Sequence, residues 1–502
     1  MVGLVLAGPM ALTLPAVTVP ALAAPSPAHI TAAATWTLDA QPTSRPTSVP
    51  AGPADPSVRL PGRGCRVGAR PGPEGEGILS LTMAGPGTSW ASETDTAVTV
   101  DLRVDSMPTQ QVVLFDGAEP FRYQAFTGPM SSGRHCVTVT VDAAASHVSS
   151  VPPSIDMYAV SLALVRPSSP QYALETHDPV LYGRSTSALG DTPLITYGEQ
   201  SADPDGVDND LSYTVIWTHE DVGDGVVAAY EWGLWGRMTD IETVLDEKVS
   251  PSGRVLSARY LSCGCEGSAV YPDLVPEDPA DGGETYKSYP ASGTTPGLGH
   301  HLGLRDATGN NDIAPSGTTA YRFQQALVAG PGPGASRELA MDDNPWTYRI
   351  SGEEVSREAA QSSDPRNFLA GSYPQYLVVD INSEPVGTGS VAVEVQLNGS
   401  AWYSNDYEQL AEPLGSVPST FPFYNGGHDR TVIKLPTDWH TSKITGLRLR
   451  LNAAQPGVAP RMTGRPAIQL IEVTDAYGIV VRPDPPLQVA DGTQVIPSSL
   501  GH

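Results

Sequence analysis

The sequence predicts an all-β fold, in which a small N-terminal β-sandwich precedes a larger β-sandwich or jelly-roll-like domain with one short helix. Apolar and polar residues alternate in many short runs, and the clearest run places Val98, Val100, Leu102 and Val104 on one face of a strand. The 50 Gly and 48 Pro make up about one residue in five and supply turns between such runs. This pattern is typical of sheets built from short antiparallel strands.

The chain is predicted to divide into five segments. The first is apolar and ends in Ala21-Leu22-Ala23, a small-residue motif typical of signal-peptide cleavage sites. The second is rich in Ala, Pro and Thr, a composition that favours disorder. In chain order, the segments are a signal peptide (1–23), a disordered leader (24–60), a β-sandwich domain (61–168), a larger β-sandwich or jelly-roll domain (169–485) and a flexible tail (486–502).

Individual strands follow from the alternation. In the first sandwich the predicted strands are Ile78–Met83, Ala97–Val104, Val112–Phe115, Cys136–Val141 and Met157–Val165. In the larger domain they are Leu211–Trp217, Thr243–Val249, Arg254–Leu261, Gln375–Ile381, Ser390–Leu397, Thr431–Leu435, Leu447–Leu451 and Ala467–Val473. A helix is predicted over Val355–Ala360, because the four residues from Ser351 to Glu354 form a capping box.

Charge excludes several classes of partner. The chain has 29 basic and 55 acidic side chains, which give a formal charge of −26. Nucleic-acid binding is excluded because no basic field replaces the phosphate counterions, and docking on anionic lipid is excluded for the same reason. The predicted signal peptide indicates a secreted, extracellular protein with no membrane span in its mature part.

The 4 Cys indicate disulfides in an exported chain. Cys65 and Cys136 are the preferred pair, because both lie in the first sandwich. Cys263 and Cys265 are separated by one Gly, and they either bridge each other or bind a metal. The disulfide is favoured because no further Cys or His lies nearby at zinc-site spacing.

The densest polar and aromatic block runs from Trp217 to Glu242. A glycosidase needs two carboxyl groups, one as acid and one as base or nucleophile, and aromatic faces that hold the sugar. The candidate catalytic residues are Glu220, Asp240, Glu242 and Arg237. The candidate substrate-binding residues in the block are Trp232, Trp235 and His219.

A structural interpretation of the same block is favoured, since no spacing in it is diagnostic of catalysis. In that interpretation the tryptophans pack in the core, and Arg237 and the acids form an ion-pair network.

An acidic run around Gly206 is a candidate calcium loop. Its carboxylates occur near a Gly turn and supply the hard oxygen ligands that Ca²⁺ prefers. The alternative is a solvated acidic turn before the strand that begins at Leu211. The candidate ligands are Asp203, Asp205, Asp208 and Asp210.

Two loops hold secondary candidates. His300 and His301 precede Asp306 and the run from Asn310 to Asp312, for which a turn is the favoured interpretation. His301 and Asp312 would join the substrate site if this loop folded over the Trp217 block. Tyr424 lies in a hairpin-like loop and would line a groove.

Three functions compete. In the first, the protein binds a polysaccharide and also cleaves it as a glycoside hydrolase or lyase. In the second, it is a non-catalytic carbohydrate- or surface-binding module of the adhesin type. In the third, it is a structural component of an envelope or matrix. The sequence contains no G-x-S-x-G elbow, H-E-x-x-H helix, Walker loop or dinucleotide fingerprint, so serine-hydrolase, zincin and nucleotide-dependent assignments have no motif behind them.

Overall fold

The computed structural model describes most of the chain between Pro27 and Pro497, and the fold is all-β. The described residues are 27–43, 64–65, 72–184, 187, 190–203, 206–219, 232, 236–262, 285–290, 300–307, 311–315, 319, 321–332, 335, 337–361, 373–382, 385–386, 388–399, 401–405, 428–453, 457, 459, 461–462, 467–475, 478–483 and 496–497. The predicted signal peptide lies outside them, as do Cys263 and Cys265.

The first assembly, here called the N-terminal sandwich, has eight strands. They pair in the order β5-β4-β7-β2-β8-β3-β6, with β1 added beside β8. All five strands predicted in this region are confirmed. The strands are β1 (Ala28–Ile30), β2 (Ala33–Thr43), β3 (Gly75–Ala84), β4 (Asp95–Val104), β5 (Gln110–Val113), β6 (Phe121–Met130), β7 (Gly133–Val148) and β8 (Ile155–Val165).

Strand β2 corrects the predicted leader, since residues 28–43 are not disordered. Its first part pairs with β7 and its last three residues pair with β8, so β2 lies in the middle of the strand order. Ala34, Trp36, Leu38 and Ala40 are buried, alternating with exposed or half-buried residues. The prediction failed because the small Ala and Thr side chains weakened the alternation and a Pro-rich segment follows it.

The predicted disulfide between Cys65 and Cys136 is present, with 5.4 Å between the two Cα atoms. It closes a loop of 71 residues and ties the segment after β2 to strand β7. A loop of this length corresponds to about 4 kcal/mol of stabilisation in the chain-entropy description of a disulfide.

The second assembly is built around a six-stranded sheet, here called the middle sheet, with strands in the order β14-β13-β12-β11-β10-β18. A smaller sheet has the order β16-β15-β9-β17. The elements are α1 (Tyr172–His177), β9 (Val180–Gly183), β10 (Pro193–Ala202), β11 (Asn209–Trp217), β12 (Ile241–Val249), β13 (Val255–Ser262), β14 (Thr285–Ser288), β15 (Gly303–Asp306), β16 (Ile313–Ala314), β17 (Tyr321–Phe323) and β18 (Val328–Ala329), followed by α2 (Leu339–Asp342) and α3 (Trp346–Gln361).

The N-terminal sandwich and the middle sheet share one hydrophobic core. Leu79 and Leu162 from the sandwich belong to the same buried cluster as Tyr213 and Leu245 from the middle sheet. One face of the middle sheet packs against this core. Near β13 and β14, the opposite face carries half-buried and exposed polar residues.

Helix α3 is longer than predicted and begins before the proposed capping box. It starts at Trp346, directly after Pro345, which suits the first turn of a helix because it needs no amide partner there. Ser351 is therefore inside the helix and fully buried. The structure also has α1 and α2, neither of which the sequence pattern predicted.

Helix α3 contacts the turn after β5 on one side and strand β23 on the other. Trp346 stacks on Phe115 with ring centroids 5.3 Å apart, and Arg349 forms an ion pair with Asp116. Arg430 donates to the Tyr348 hydroxyl and lies 2.7 Å from an Asp342 carboxylate oxygen.

The third assembly, here called the C-terminal sandwich, has two four-stranded sheets in the orders β23-β19-β26-β27 and β22-β21-β24-β28, and a short β20-β25 pair. Its strands are β19 (Tyr376–Asn382), β20 (Pro385–Val386), β21 (Thr388–Leu397), β22 (Trp402–Ser404), β23 (His428–Lys434), β24 (Ile444–Ala453), β25 (Arg461–Met462), β26 (Ala467–Asp475), β27 (Gly478–Pro483) and β28 (Ile496–Pro497). Each strand predicted after residue 200 overlaps an observed strand.

Strand β19 is buried on both faces. Leu377, Val379 and Ile381 belong to a separate hydrophobic core within the C-terminal sandwich. Tyr376 and Val378 belong to the core that the other two assemblies share. This explains why β19 reads as a nearly continuous apolar run. The tail predicted over 486–502 also needs a correction, since Ile496 and Pro497 pair with β24.

Trp36 offers a test of the corrected leader. We expect Trp36→Ala to lower the free energy of unfolding by about 3–5 kcal/mol, because it empties a fully buried indole site. Urea unfolding of this variant and of Asp39→Ala, an exposed position on the same strand, gives the comparison. Equal stability of both variants would mean that β2 does not contribute to the core.

Candidate functional site

The structure describes part of the predicted catalytic block. Arg237, Asp240, Glu242, Trp232 and His219 are within the described residues. The remaining predicted site residues lie outside them, namely Glu220, Trp235, Asp205 and Tyr424.

Asp240 is buried immediately before β12. Its main-chain oxygen accepts from the Trp217 amide at 2.9 Å, and its carboxylate accepts from Asn311 Nδ2 at 3.0 Å. Burial raises the pKa of Asp240, against the opposing effects of Arg237, the Asn311 hydrogen bond and Arg337. The carboxyl group is thus held in a polar network with 3% of the residue exposed.

Glu242 belongs to the same network, here called the arginine–carboxylate network. Arg337 Nη1 lies 3.5 Å from a Glu242 oxygen, and Arg237 Nε lies 3.6 Å from Glu338. Burial lowers the pKa of Arg337, but the carboxylates of Glu242, Glu338 and Asp240 outweigh it and raise that pKa. Two of the predicted acids, Asp240 and Glu242, are therefore brought together with Arg237 in one network, whereas Glu220 lies outside the described residues.

Trp232 is a core residue, which corrects its assignment as a sugar platform. Its side chain is 1% exposed, and its ring centroid lies 5.1 Å from that of Tyr376. A ring buried in this way has no face left for a sugar.

The candidate residues between His300 and Asp312 lie at two different places in the structure. Asn311 adopts a positive φ of 51°, as expected for a turn residue, and its Nδ2 donates both to the His219 main-chain oxygen and to Asp240. That turn therefore folds over the Trp217 block, as proposed for Asp312. His301 does not follow it, and lies against Glu76 on β3, so its role in the same substrate site is corrected.

His301 belongs to a buried group that the sequence analysis missed, here called the histidine–carboxylate cluster. His177 Nδ1 lies 2.8 Å from Glu247 Oε2, and His301 Nε2 lies 3.9 Å from Glu76 Oε2. Its members come from β3, α1 and the residue after it, β12 and the residues before β15, and each is at most 5% exposed. They are Glu76, Glu175, His177, Asp178, Glu247 and His301.

Burial sets the protonation of the cluster. It raises the pKa of Asp178 well above the ordinary value, and the nearby Glu175 charge raises it further. Burial also raises the pKa values of Glu247 and Glu76, although His177 and His301 act against it. Carboxyl groups of this kind retain protons that exposed carboxyl groups have already released.

The cluster approaches solvent through His300. This ring stacks on His177 with centroids 5.2 Å apart, and both His300 and His301 line a cavity of about 400 Å³. Leu256, Tyr289 and Pro290 form other parts of the cavity wall.

A larger concavity, here called the polar groove, lies on the outer face of the middle sheet and encloses about 580 Å³. Residues that face each other in the strand register form two rows across it. One row is Glu199, Ser212, Asp246, Arg259 and Ser288, and the other is Ser201, Asp210, Lys248 and Ser257. The longer row crosses five strands and spans about 19 Å.

Tyr286 extends the polar groove at one side. It lies two residues before Ser288 on β14, on the same face, and is 43% exposed. Its hydroxyl donates to the Thr243 oxygen at 3.0 Å, and the Arg259 guanidinium carbon lies 4.8 Å from the ring centroid. Arg259 is itself held by Asp246 at 2.9 Å.

The candidate calcium loop adjoins the polar groove. The Lys248 ammonium contacts Asp203 and lies 3.8 Å from Asp208, while Asp210 faces Lys248 across the strand pair. Lys248 therefore already supplies positive charge to these carboxylates. Calcium binding here stays a prediction.

The polar groove was not predicted, although the sequence carries a signal for it. Polar residues occupy every second position at Asp210 and Ser212, at Asp246 and Lys248, and at Ser257 and Arg259. Three strands with the same alternation place one polar row beside another once they pair in register.

Comparison with protein-family models, curated proteins and solved structures finds no match for this chain. Among the residues that the structure describes, no helix has the length and apolar character needed to cross a membrane. Function is therefore argued from the site itself.

The histidine–carboxylate cluster predicts a pH-dependent stability. Because the pKa of Asp178 is raised on folding, the folded chain binds more protons than the unfolded chain above about pH 4. This contribution to stability is lost as the pH rises towards the pKa of the folded state. Asparagine stays neutral at every pH, so Asp178→Asn does not lose this contribution. We expect the free energy of unfolding of Asp178→Asn, relative to that of the parent protein, to rise by about 1 kcal/mol or more as the pH is raised from 4.5 to 7.5.

Urea unfolding at several pH values measures this difference. The exposed Asp39→Asn should show no such trend. Parallel pH curves for Asp178→Asn and the parent protein would refute the expected protonation of Asp178.

Proposed function

We propose that this protein is an extracellular protein that binds a polysaccharide in the polar groove. The observation that carries the proposal is a concavity of about 580 Å³ floored by a sheet and lined almost entirely by polar side chains. Its volume is in the range of small-molecule sites, and its open, elongated shape suits a chain of sugar units. The Cys65–Cys136 disulfide supports an oxidising, extracellular setting.

The chemistry of the groove suits sugar hydroxyl groups. Carboxylates of Glu199, Asp210 and Asp246 accept hydrogen bonds, while Lys248 and Arg259 donate them. The exposed ring of Tyr286 offers an apolar face of the kind that packs against the C–H groups of a sugar ring. Three carboxylates against two cations leave an excess of negative charge, which favours a neutral over an acidic polysaccharide.

Tyr286 provides the first test. We expect Tyr286→Ala to weaken binding to a neutral polysaccharide about tenfold, which is ~1.4 kcal/mol, because it removes the exposed aromatic face. Tyr286→Phe keeps the ring and should bind within about twofold of the parent protein. Binding is measured by depletion of protein from solution over a panel of insoluble neutral and acidic polysaccharides.

Leu256→Ala is the matched control. Leu256 is 41% exposed on the neighbouring strand β13 but lines the other cavity, so its removal should leave binding unchanged. If no polysaccharide in the panel depletes the protein, or if Leu256→Ala and Tyr286→Ala bind alike, the groove is not the binding site.

Cleavage of the bound polysaccharide is the second candidate function. It is supported by Asp240 and Glu242, two carboxyl groups that lie two residues apart in the arginine–carboxylate network, and by the burial that raises the pKa of Asp240. Enzymes that hydrolyse glycosides use two carboxyl groups whose environments shift their pKa values apart.

Substitution of the two acids tests this second function. If they form the acid and base pair, Asp240→Asn and Glu242→Gln should each lower release of soluble sugar at least a hundredfold, while depletion by the polysaccharide is retained. Reducing-sugar release from each supernatant is measured beside a thermal melt. Full release by either folded variant would remove the pair from catalysis.

A further inference from the structure

A second polar group lies where the end of β11 meets helix α3. One ring nitrogen of His219 and one carboxylate oxygen each from Glu354 and Glu358 lie within 4.8 Å of one another. His219 and Glu354 are buried, while the Glu358 side chain is 33% exposed. The group is therefore closed on the protein side and reaches solvent through one ligand.

The helix explains why the two carboxylates converge. Glu354 and Glu358 are four residues apart on α3 and lie on the same helix face, one turn apart. His219 comes from another part of the chain, two residues after β11 ends. Ligands that approach from a helix and from a second segment define a position in space better than three ligands from one loop would.

The spacing is close to that of a metal site. Ligands at the usual bond lengths around a tetrahedral zinc ion are about 3.4 Å apart. A closing movement of about 1 Å, within the reach of side-chain rotation, would bring all three ligand atoms into coordination.

The donor set selects the kind of ion. One imidazole nitrogen with two carboxylate oxygens suits zinc and manganese or iron in the divalent state, whereas calcium is bound through oxygen ligands. A site with three protein ligands and a solvent-exposed edge also leaves a position for water.

Neighbouring groups hold the ligands in place. Trp90 Nε1 donates to one Glu354 oxygen, and Asn311 Nδ2 donates to the His219 main-chain oxygen at 3.0 Å. Gly190 lies so near that a methyl group on it would sit 3.2 Å from Glu354 Oε1. Orienting contacts of this sort are usual around the ligands of metal sites.

Arg357 is the competing cation. It forms an ion pair with Glu354 and lies 3.6 Å from Glu358. One guanidinium against two carboxylates leaves an excess of negative charge. Each carboxylate oxygen has two lone pairs, so an oxygen that accepts from Arg357 still has one to offer a metal.

We propose that His219, Glu354 and Glu358 bind a divalent transition-metal ion, with zinc as the reference ion. The bound ion ties the end of β11 to helix α3. This site is separate from the polar groove, and the proposal does not depend on the proposed polysaccharide binding.

Metal titration of the purified full chain tests the proposal. After dialysis against a chelator, the protein is titrated with Zn²⁺ and, separately, with Mn²⁺ and Ca²⁺ in a calorimeter, and the bound metal is counted by elemental analysis. We expect about one Zn²⁺ per chain and no Ca²⁺ at this site. Glu358→Gln and His219→Gln should each weaken Zn²⁺ binding at least tenfold.

Glu353→Gln is the matched control, because Glu353 is on the same helix but lies 2.5 Å from Arg349 and outside the group. It should bind Zn²⁺ as the parent protein does. Thermal melts of every variant without metal identify any variant that fails to fold. Glu358 is the most exposed of the three ligands, so Glu358→Gln is the substitution expected to disturb folding least. No Zn²⁺ bound by the parent protein, or equal weakening in Glu353→Gln and Glu358→Gln, would overturn the proposal.

Discussion

The packing of helix α3 between the other elements is the constraint on which the arrangement of the molecule depends. Its Trp346 stacks on Phe115 of the N-terminal sandwich, and its Tyr348 is held by Arg430 of the C-terminal sandwich. Arg430 is itself buried between Asp342 and Asp380. Removing one member of such a buried ionic group leaves an uncompensated charge, which costs about 3–5 kcal/mol. The helix is therefore held by directional contacts as well as by apolar packing, and this fixes the position of Glu354 and Glu358 relative to His219.

Two kinds of buried polar group have to be distinguished in this protein. In the arginine–carboxylate network, Arg237 and Arg337 balance the acids, and the network needs no other ion. In the histidine–carboxylate cluster, Asp178 interacts unfavourably with Glu175, and protons on the carboxyl groups reduce that repulsion. The first arrangement stabilises one geometry over a wide pH range. The second makes the contacts that Glu76 on β3 and Glu247 on β12 form with the buried histidines sensitive to proton concentration.

The strands could be predicted from the sequence because a period of two in hydrophobicity depends only on local residues, as the run from Val98 to Val104 illustrates. Strand β2 could not be predicted in this way. Its pairing partners are about 100 residues away, and its small side chains give a weak alternation. The same limit applied to the candidate sites. His177 and Glu247 are 70 positions apart, and no local pattern marks their contact. The assignment of Trp232 as a sugar platform was wrong for another reason. The sequence around an aromatic residue in a polar stretch does not show whether its ring is buried or exposed.

The strand order also governs when the protein can fold. Ala33 pairs with Thr140, Ala40 with Gly133 and Thr43 with Val165, so the earliest strands take their neighbours from the end of the N-terminal sandwich. About 90 residues must therefore be synthesised after β2 before it gains its first partner, and such distant pairing makes folding slow. During that interval the backbone amide and carbonyl groups of β2 have no partner strand. A protease or a chaperone would meet the strand in that state.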